Sequence, residues 1–263
     1  FAKIIDLGGR NFAQVNKHRH LALSRIVHQF ADGVGRVQHT GDLFAQYDCF
    51  LGKSWEVIGA LRWDYLSDGK ASSQLTGKLA LCYKIDALTL RAGYAGGFRA
   101  PTLKEKYSYF NMVGDIYIKG NENLMAERSH NINLSAEYAW KNYSLSASVS
   151  YNDITDRITS TAPQQGAMGE YYIQYMNMPS AQVLGIDFLA QARWTLDGGH
   201  RLKARANYVF TREWLSQGGM TPYCPARPHS FNLRLDWDKQ WTSFYGTTFS
   251  VLGRVLSSVD YET

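Results

Sequence analysis

The chain has 263 residues, a formal net charge of +5 and 45% hydrophobic residues, and 14% of all residues are aromatic. No run of about 18 apolar residues occurs, so the sequence excludes a transmembrane helix. The mild positive charge is compatible with an anionic ligand or lipopolysaccharide, but ordinary surface charge explains it equally well.

Recognisable catalytic signatures are missing from the sequence. It has no G-x-S-x-G, P-loop, HExxH or dinucleotide fingerprint, and no nucleophile stands out near Asp153, Asp156 or His130. We therefore predict no catalytic residue and no metal site. The three cysteines form no CxxC pair and no metal motif, and we interpret them as structural: Cys49 and Cys82 in predicted strands and Cys224 in a predicted loop.

The first 38 residues fit no regular template. They are basic around Lys17 and Arg19, and we expect one or two irregular strands and a loop there. His18 and His20 would share one face of a strand, a spacing compatible with metal binding but more typical of solvated loop histidines. The chain begins with Phe rather than Met and shows no signal peptide, so we expect it to be a piece of a longer protein.

Ten later segments alternate between apolar and polar residues with a period of two, which predicts β-strands with one apolar face. The clearest is 142–152, where every odd position is apolar or aromatic and nearly every even position is small and polar. In chain order the apolar positions fall within 43–49, 55–63, 75–83, 88–94, 132–140, 143–151, 184–194, 202–210, 231–237 and 245–251.

Aromatic residues bracket these apolar faces. Trp55 and Trp63, like Tyr143 and Tyr151, are eight residues apart. At roughly 3.3 Å per residue and a tilt of about 40°, this spacing rises about 20 Å, close to the apolar band of an outer-membrane barrel. A soluble sandwich places its large aromatics in the middle of its core. The pattern therefore predicts an all-β, antiparallel transmembrane β-barrel.

Short and long connections alternate between the predicted strands, as periplasmic turns and extracellular loops do in outer-membrane barrels. We therefore expect 142–152 to run outward and 128–140 to run inward. The loop 98–127 is expected to be functional because long loops in compact proteins usually are. The short connections are 51–53, 85–86, 141, 195–199 and 238–240, and the long ones are 66–74, 98–127, 153–181 and 211–228.

Residues 97–107 read Gly-Phe-Arg-Ala-Pro-Thr-Leu-Lys-Glu-Lys-Tyr, and Gly-Asn-Glu-Asn-Leu follows at 120–124, before Glu127. These segments resemble the paired FRAP and NPNL boxes of TonB-dependent outer-membrane receptors, notably haem and related receptors. The resemblance covers about residues 40–260. Further segments resemble motifs of the family in the same order: Tyr151–Ile154 with Arg157 and Ile158, Asn177 with Gly185–Asp187, Arg227–Ser230 with Leu233–Leu235, and Gly253 and Arg254 with Leu256 and Ser257.

The resemblance implies a barrel of roughly 22 strands, an N-terminal plug domain, and a TonB box that contacts the energy-transducing protein. About ten to twelve long strands are accounted for here. We expect residues 1–263 to be a partial barrel domain in which the plug and the closing strands are absent. An unpaired strand edge costs several kcal/mol per unsatisfied group in lipid, so this piece is not expected to be a stable transporter alone.

The function implied by the resemblance is transport across the outer membrane of a Gram-negative bacterium, without catalysis. Extracellular loops would capture a scarce nutrient such as haem, an iron–siderophore or cobalamin, and TonB would then move the plug. No covalent cofactor is expected, and haem or an iron chelate would be the transported ligand. Implied partners are outer-membrane lipid, TonB through the missing plug region, the ligand and a surface lipoprotein, but no nucleic acid. The alternatives are a self-contained outer-membrane enzyme and a passive porin.

Haem receptors of this family place a histidine between the two boxes, and this chain has none between Phe98 and Leu124. Tyr and Met side chains also ligate haem iron, and aromatic side chains stack on planar ligands. The candidate ligand-binding residues are Arg99, Tyr107, Tyr109, Met112, Tyr117, Lys119, Tyr172 and Tyr175.

Each candidate also has a structural interpretation. Arg99 either contacts an anionic ligand, such as a propionate or phosphate, or pairs with Glu105 or Glu127 and braces the loop. The tyrosines of the first box either bind ligand or pack at the base of the loop. The aromatic and Met-rich segment 170–178 is either a stacking surface or an extracellular strand extension.

Overall fold

The computed structural model describes residues 19–30, 37–67, 71–114, 116–167, 169–216, 220–223 and 227–258. Apart from one short helix and one 3-10 turn, Asp197–Gly199, its regular elements are strands. No helix among these residues has the length and apolar character needed to cross a membrane. The elements are β1 Arg19–Phe30, β2 Val37–Leu51, β3 Trp55–Ser67, β4 Ala71–Ile85, β5 Leu88–Arg99, α1 Leu103–Tyr107, β6 Tyr109–Val113, β7 Ile116–Lys119, β8 Glu127–Trp140, β9 Tyr143–Ser160, β10 Gln164–Gln165, β11 Tyr171–Leu196, β12 His200–Ser216, β13 Met220–Tyr223, β14 His229–Gln240 and β15 Gly246–Leu256.

Eleven strands form one antiparallel path in the order β1-β2-β3-β4-β5-β8-β9-β11-β12-β14-β15. Each strand pairs with the next along this path, which is an up-and-down meander. The short strands β6, β7, β10 and β13 lie beside the path. Among the described residues, β1 and β15 each pair on one side only, so the sheet is open. All ten predicted strands are confirmed, and their number lies in the expected range.

The basic N-terminal segment contains one regular strand. β1 pairs with β2 from Arg19 opposite Tyr47 to Phe30 opposite Val37, and its register shifts between Leu23 and Ile26. This shift agrees with the expectation of an irregular strand. His18 and Cys224 lie outside the described residues. Cys49 in β2 and Cys82 in β4 are free thiols.

The apolar face of the sheet, here called the outer wall, carries large side chains that remain exposed. Leu145 is 54% exposed, Phe188 is 51% exposed and Leu61 is 58% exposed. A soluble protein rarely leaves so extended an apolar surface in contact with water. The opposite face, here called the inner wall, carries polar and ion-paired side chains such as the Arg91–Glu137 pair. This division is that of a membrane barrel.

Aromatic side chains cluster where short turns join the strands. The rings of Trp55 and Tyr83 lie 4.5 Å apart, and those of Tyr143 and Trp194 lie 6.1 Å apart. The Trp194 Nε1–H donates to the Tyr143 hydroxyl across 3.3 Å. These residues form the predicted aromatic border at the periplasmic end of the apolar band.

Four of the five short connections lie within about two residues of their predicted positions, but the fifth prediction is wrong: residues 238–240 belong to β14, and the turn spans 241–245. The long connections contain more strand than expected. β3 runs to Ser67 and β4 starts at Ala71, so little of 66–74 is loop. Likewise β9 runs to Ser160 and β11 starts at Tyr171. Above the membrane both faces of a strand are solvated, so the apolar alternation disappears while the hydrogen-bonded ladder continues.

Candidate functional site

The extracellular loop between β5 and β8 begins with a capped helical turn. The Glu105 N–H donates to Thr102 Oγ1 across 3.2 Å, and the Thr102 N–H donates back to Glu105 Oε2 across 2.8 Å. This reciprocal pair is a capping box, which explains why α1 starts at Leu103, directly after the N-cap residue Thr102. The carbonyl of Pro101 accepts a hydrogen bond from the buried Gln38 amide at 3.2 Å. The start of the loop is therefore tied to β2 as well as to β5.

Arg99, the last residue of β5, holds both ends of this loop. Its Nε and Nη2 groups donate to the two carboxylate oxygens of Glu127, each across 2.8 Å. Its Nη1 group donates to Glu105 in α1 across 2.9 Å. A bidentate guanidinium–carboxylate pair is a strong and directional contact. Of the two alternatives for Arg99, the structure shows the one in which it pairs with Glu105 and Glu127 and braces the loop. A contact between Arg99 and a ligand stays a prediction.

The Glu127 carboxylate is fixed from a third side by the Ile158 N–H, which donates to it across 2.6 Å. Burial acts to raise the pKa of Glu127, but the hydrogen bonds from Arg99 and Ile158 outweigh it and hold the pKa below its ordinary value. In turn, the hydrogen bond to Glu127 raises the pKa of Arg99. Both groups lie beyond the apolar band, and both are charged at neutral pH.

Gly120 packs against the backbone of α1. Its N–H donates to the Ser108 carbonyl across 2.7 Å, and a Cβ placed on it would lie 2.5 Å from the Lys106 carbonyl oxygen. The next residue, Asn121, donates its backbone N–H to the Glu105 carbonyl across 2.9 Å and its side-chain amide to the Tyr175 carbonyl across 3.0 Å. The second box therefore joins α1 to β11.

Replacing Gly120 with alanine is expected to displace the loop, because the new methyl group meets backbone atoms that cannot rotate away. We expect faster amide exchange in residues 103–125 of the full-length protein, measured by hydrogen–deuterium exchange, with unchanged protection in β8 and β9. Gly114→Ala is an informative comparison, since a Cβ there meets nothing within 4 Å although its φ of 63° costs some backbone strain. Equal exchange in the Gly120→Ala variant and the wild type would contradict the packing described here.

The side-chain amide of Asn177 hydrogen-bonds to the backbone of the loop and to the backbone of β9, and so links the two. Its Oδ1 accepts from the Met125 N–H across 2.8 Å, and its Nδ2 donates to the Met125 carbonyl across 3.0 Å and to the Asp156 carbonyl across 2.7 Å. Asp156 has a positive φ of 55°. It stands opposite Pro179, which has no N–H to donate to the ladder.

On the extracellular side of the kink at Asp156, the odd- and even-numbered residues of β9 and β11 change walls. Below the kink, odd-numbered residues of β9 such as Tyr151 belong to the outer wall. Above it, Arg157 forms an ion pair with Glu213 on the inner wall. Met178, the register partner of Arg157, packs beside Ala181 and Leu215 in a small buried cluster. Even-numbered residues of β11 before Met178 therefore continue the inner wall.

A small sheet stands above the membrane wall. β7 pairs in parallel with β11 from Tyr171 to Gln174, and β6 pairs with β7. β10 pairs with the same Tyr171 and Tyr172. Because β7 and β10 pair with the same residues, they occupy opposite edges of β11. The loop between β5 and β8 therefore crosses β9 to reach the far edge of β11.

One face of this sheet, here called the tyrosine face, brings half of the candidate ligand-binding residues together. The rings of Tyr109 and Tyr117 stack at 5.5 Å with 17° between their planes. The Lys119 Nζ lies 5.6 Å from the centre of the Tyr172 ring, within cation–π range. By register and alternation the tyrosine face consists of Tyr109, Asn111, Tyr117, Lys119, Tyr172 and Gln174.

The family model for the β-barrel of TonB dependent receptor-like proteins matches residues 9–262. This chain belongs to that family. The iron-regulated outer membrane virulence protein of Vibrio cholerae serotype O1 (strain ATCC 39541) is 29% identical over 214 residues, which cover 73% of this chain and 31% of that protein. The ferrienterobactin receptor of Escherichia coli K12 is 28% identical over 231 residues, 81% of this chain and 29% of the receptor.

A solved siderophore receptor, PirA from Pseudomonas aeruginosa, has the same fold. It superposes with a TM-score of 0.63 at 18% identity, over 89% of this chain and 48% of that chain. The chain spans about a third of the length of its curated relatives. The family prediction is thus confirmed, and the sheet is part of an outer-membrane β-barrel. The outer wall faces lipid and the inner wall faces the lumen.

In this family member, the remaining candidates lie away from the tyrosine face. Tyr107 is half-buried in α1, and Met112 is 57% exposed near the tip of the β6–β7 hairpin. Tyr175 belongs to the opposite face, and its carbonyl accepts from Asn121. Their roles in binding stay predictions, as does that of Arg99. The described residues contain no group of three or more potential metal ligands.

Sequence reasoning missed Asn111 and Gln174 on the tyrosine face. Both are uncharged amides in segments that were described only by their aromatic residues. The Gln174 amide also donates to the Gly120 carbonyl across 3.4 Å, so it supports the loop from that face. Their proximity depends on the parallel pairing of β7 with β11, and the local sequence carries no signal for that pairing.

Proposed function

We propose that residues 1–263 form part of the barrel of a TonB-dependent receptor that takes up an iron chelate, with the tyrosine face as a surface that captures it. The plug, the TonB contact and the remaining strands would come from the rest of the receptor. The observation that carries the proposal is the gathering of three tyrosines, one lysine and two amides on one extracellular face. That face continues the inner wall, along which a transported ligand must pass.

The chemistry of the tyrosine face suits an anionic ligand that carries planar aromatic rings. Its three phenol rings offer stacking surfaces and hydroxyl donors. Lys119 is the only charged residue among the six described residues that form the face, so none of these six repels an anion. Ferric catecholates have these properties, and a relative in Escherichia coli is named as a ferrienterobactin receptor. Haem shares them too, but the segment between the boxes lacks a histidine to ligate its iron.

The experiment compares two neighbouring tyrosines of the same strand in the full-length receptor. Tyr172 belongs to the tyrosine face, whereas Tyr171 points to the opposite face and is 46% exposed. We expect Tyr172→Ala to weaken binding of a ferric tris-catecholate about tenfold, because a stacking contact and the Lys119 partner are lost. We expect Tyr171→Ala to bind within about twofold of the wild type.

Binding is measured by the quenching of intrinsic tryptophan fluorescence, with haem titrated in parallel by absorbance. Equal affinities for the two variants would remove the tyrosine face from ligand capture. Tight haem binding without catecholate binding would overturn the proposed ligand class. Family membership favours energised transport over a passive porin and over an enzyme, the two alternatives raised by the sequence.

A further inference from the structure

The charge of the inner wall differs between the two halves of the strand path. Below the Arg99 clamp, the inner wall of β2, β3, β4, β5 and β8 carries four cations and five carboxylates, which nearly cancel: Arg62, Lys78, Lys84 and Arg91, with Asp42, Asp48, Glu56, Asp64 and Glu137. Below the Arg157–Glu213 ion pair, the inner wall of β11, β12, β14 and β15 carries six cations and three carboxylates: Arg193, Arg201, Lys203, Arg205, Arg234 and Arg254, with Asp187, Asp236 and Asp238. We call these six cations the basic patch.

Two cross-strand pairs in the basic patch bring like charges together. Arg193 in β11 stands opposite Lys203 in β12, and Arg205 in β12 stands opposite Arg234 in β14. Like charges directly opposite each other destabilise a sheet. An anion held in the lumen beside these pairs offsets their repulsion.

The neighbouring carboxylates neutralise only part of the basic patch. Asp236 accepts a hydrogen bond from Arg234 Nε across 2.9 Å, and Asp238 lies 2.7 Å from Lys203 Nζ. Three exposed arginines of the patch have no hydrogen bond or ion pair within the part of the chain that the structure describes: Arg193, Arg205 and Arg254. Their guanidinium groups are therefore available to an anion in the lumen.

The basic patch lies at the periplasmic end of the wall that carries the tyrosine face. β11 starts with Tyr171 and Tyr172 and ends at Leu196, three residues after Arg193. At roughly 3.3 Å per residue and a tilt of about 40°, Tyr172 and Arg193 differ in height by about 50 Å. Between 181 and 191 the inner-wall positions of β11 are uncharged apart from Asp187. One strand thus connects the tyrosine face to the basic patch.

We propose that the basic patch is a second anion site, which receives the ferric chelate at the periplasmic end of the lumen after the chelate leaves the tyrosine face. This inference rests on the proposed function, because it requires an anionic chelate that passes along the inner wall. One Fe³⁺ ion and three catecholate dianions carry a net charge of 3−, and guanidinium groups donate to catecholate oxygens as charge-assisted hydrogen bonds. A cleft lined by one sign of charge raises the local concentration of its counter-ion roughly 10- to 1000-fold. The basic patch therefore draws the chelate toward the periplasm.

The test measures uptake by the full-length receptor in cells that supply TonB, with a radiolabelled ferric tris-catecholate at saturating concentration. Rates are normalised to the amount of receptor in the outer membrane. We expect R205Q/R254Q to take up the chelate about tenfold more slowly than the wild type, because two unpaired cations are lost. Its affinity for the chelate, measured by tryptophan quenching of the purified receptor, should stay within about twofold of the wild type. An unchanged uptake rate would overturn the proposal.

Two further variants separate the charge of the patch from other effects. R205K/R254K keeps the charge and should restore most of the uptake, and a loss as large as that of R205Q/R254Q would overturn the proposal. K78Q/K84Q is the matched control, since it removes two exposed cations from the inner wall of β4. Its uptake should equal that of the wild type. Equal losses in K78Q/K84Q and R205Q/R254Q would also overturn the proposal, because any loss of luminal charge would then have the same effect.

A carboxylate-bearing segment of the plug is the other source of negative charge in the lumen. Hydrogen–deuterium exchange of the ligand-free receptor distinguishes it from the chelate. We expect equal exchange of the plug in R205Q/R254Q and the wild type. Faster exchange of the plug in the variant would assign the basic patch to plug docking and overturn the proposal.

Failure of this proposal and failure of the proposed function give different results. If the tyrosine face does not capture the chelate, Tyr172→Ala keeps its affinity, whatever R205Q/R254Q does to uptake. If the basic patch does not receive the chelate, Tyr172→Ala loses affinity while R205Q/R254Q keeps its uptake rate.

Discussion

Replacing Leu145 with arginine should destabilise the intact receptor in membranes by about 2–4 kcal/mol, because it places a charge in the hydrocarbon. Leu145 is 54% exposed on the outer wall. It pairs with Tyr138 on one side and Ala190 on the other. No partner on the outer wall beside it can neutralise the new guanidinium among the described residues, so the full cost of inserting it is expected.

Ser146→Arg is the matched control, since it adds the same side chain one position along the same strand. Ser146 points to the inner wall and pairs with Glu137, a carboxylate that accommodates an arginine. We expect its cost to be far smaller. Denaturant titration of the receptor folded into phospholipid vesicles measures both free energies of unfolding. Equal costs would show that the two faces of β9 have been assigned incorrectly.

Removing the Glu127 carboxylate should release the loop between β5 and β8 while leaving the barrel folded. Glu127→Ala leaves the Ile158 N–H without its acceptor and leaves Arg99 with Glu105 alone. Hydrogen bonds to charged groups contribute about 1.5–3 kcal/mol each, so docking of the loop should weaken by about 2 kcal/mol. Hydrogen–deuterium exchange should rise in residues 103–125.

Glu122→Ala provides the control for that experiment. Glu122 is exposed in the same loop and has no hydrogen bond or ion pair with the described residues, so its loss should leave exchange unchanged. Similar exchange in the two variants would mean that the contacts of Glu127 do not hold the loop.

The pKa of Glu127 gives the same contact a defined pH dependence. Its pKa is lowered in the folded loop, so the stabilisation is fully present above the ordinary glutamate pKa of about 4.3 and is lost as the pH falls through the lower, folded value. Loop exchange, corrected for the intrinsic pH dependence of amide exchange, should therefore rise below about pH 4.3 in the wild type. In Glu127→Ala this pH dependence should largely disappear, and its persistence would assign the effect to another group.

Most of the fold could be predicted because each strand of a membrane barrel alternates apolar and polar residues with a period of two, and this pattern is visible within the strand's own sequence. The segment 142–152 specifies its strand, its two faces and the aromatic residues at its ends without reference to any other part of the chain. Above the bilayer this relation fails. Residues 153–160 and 175–181 continue the same ladder in the structure, but solvent on both faces removes the apolar signal that would have revealed them.

The candidate site was predictable only in part, for a similar reason. Composition identified tyrosines in two separate segments, and the structure brings Tyr117 and Tyr172 into register. That register arises from a non-local, parallel pairing, which alternation within either segment cannot indicate. The exchange of faces at Asp156 was equally hidden, because the alternation of residues does not reveal a position with positive φ. The Arg99 clamp was foreseen because its partners carry the only suitable carboxylates at the two ends of the loop.

The extracellular sheet formed by β6, β7 and β11 presents the proposed ligand-capture surface. A structure of the full-length receptor with a ferric tris-catecholate bound tests it most directly. We predict electron density for the chelate against Tyr117 and Tyr172, with Lys119 in contact with its anionic oxygens. A chelate bound elsewhere, with the tyrosine face empty, would show that this face does not capture the ligand.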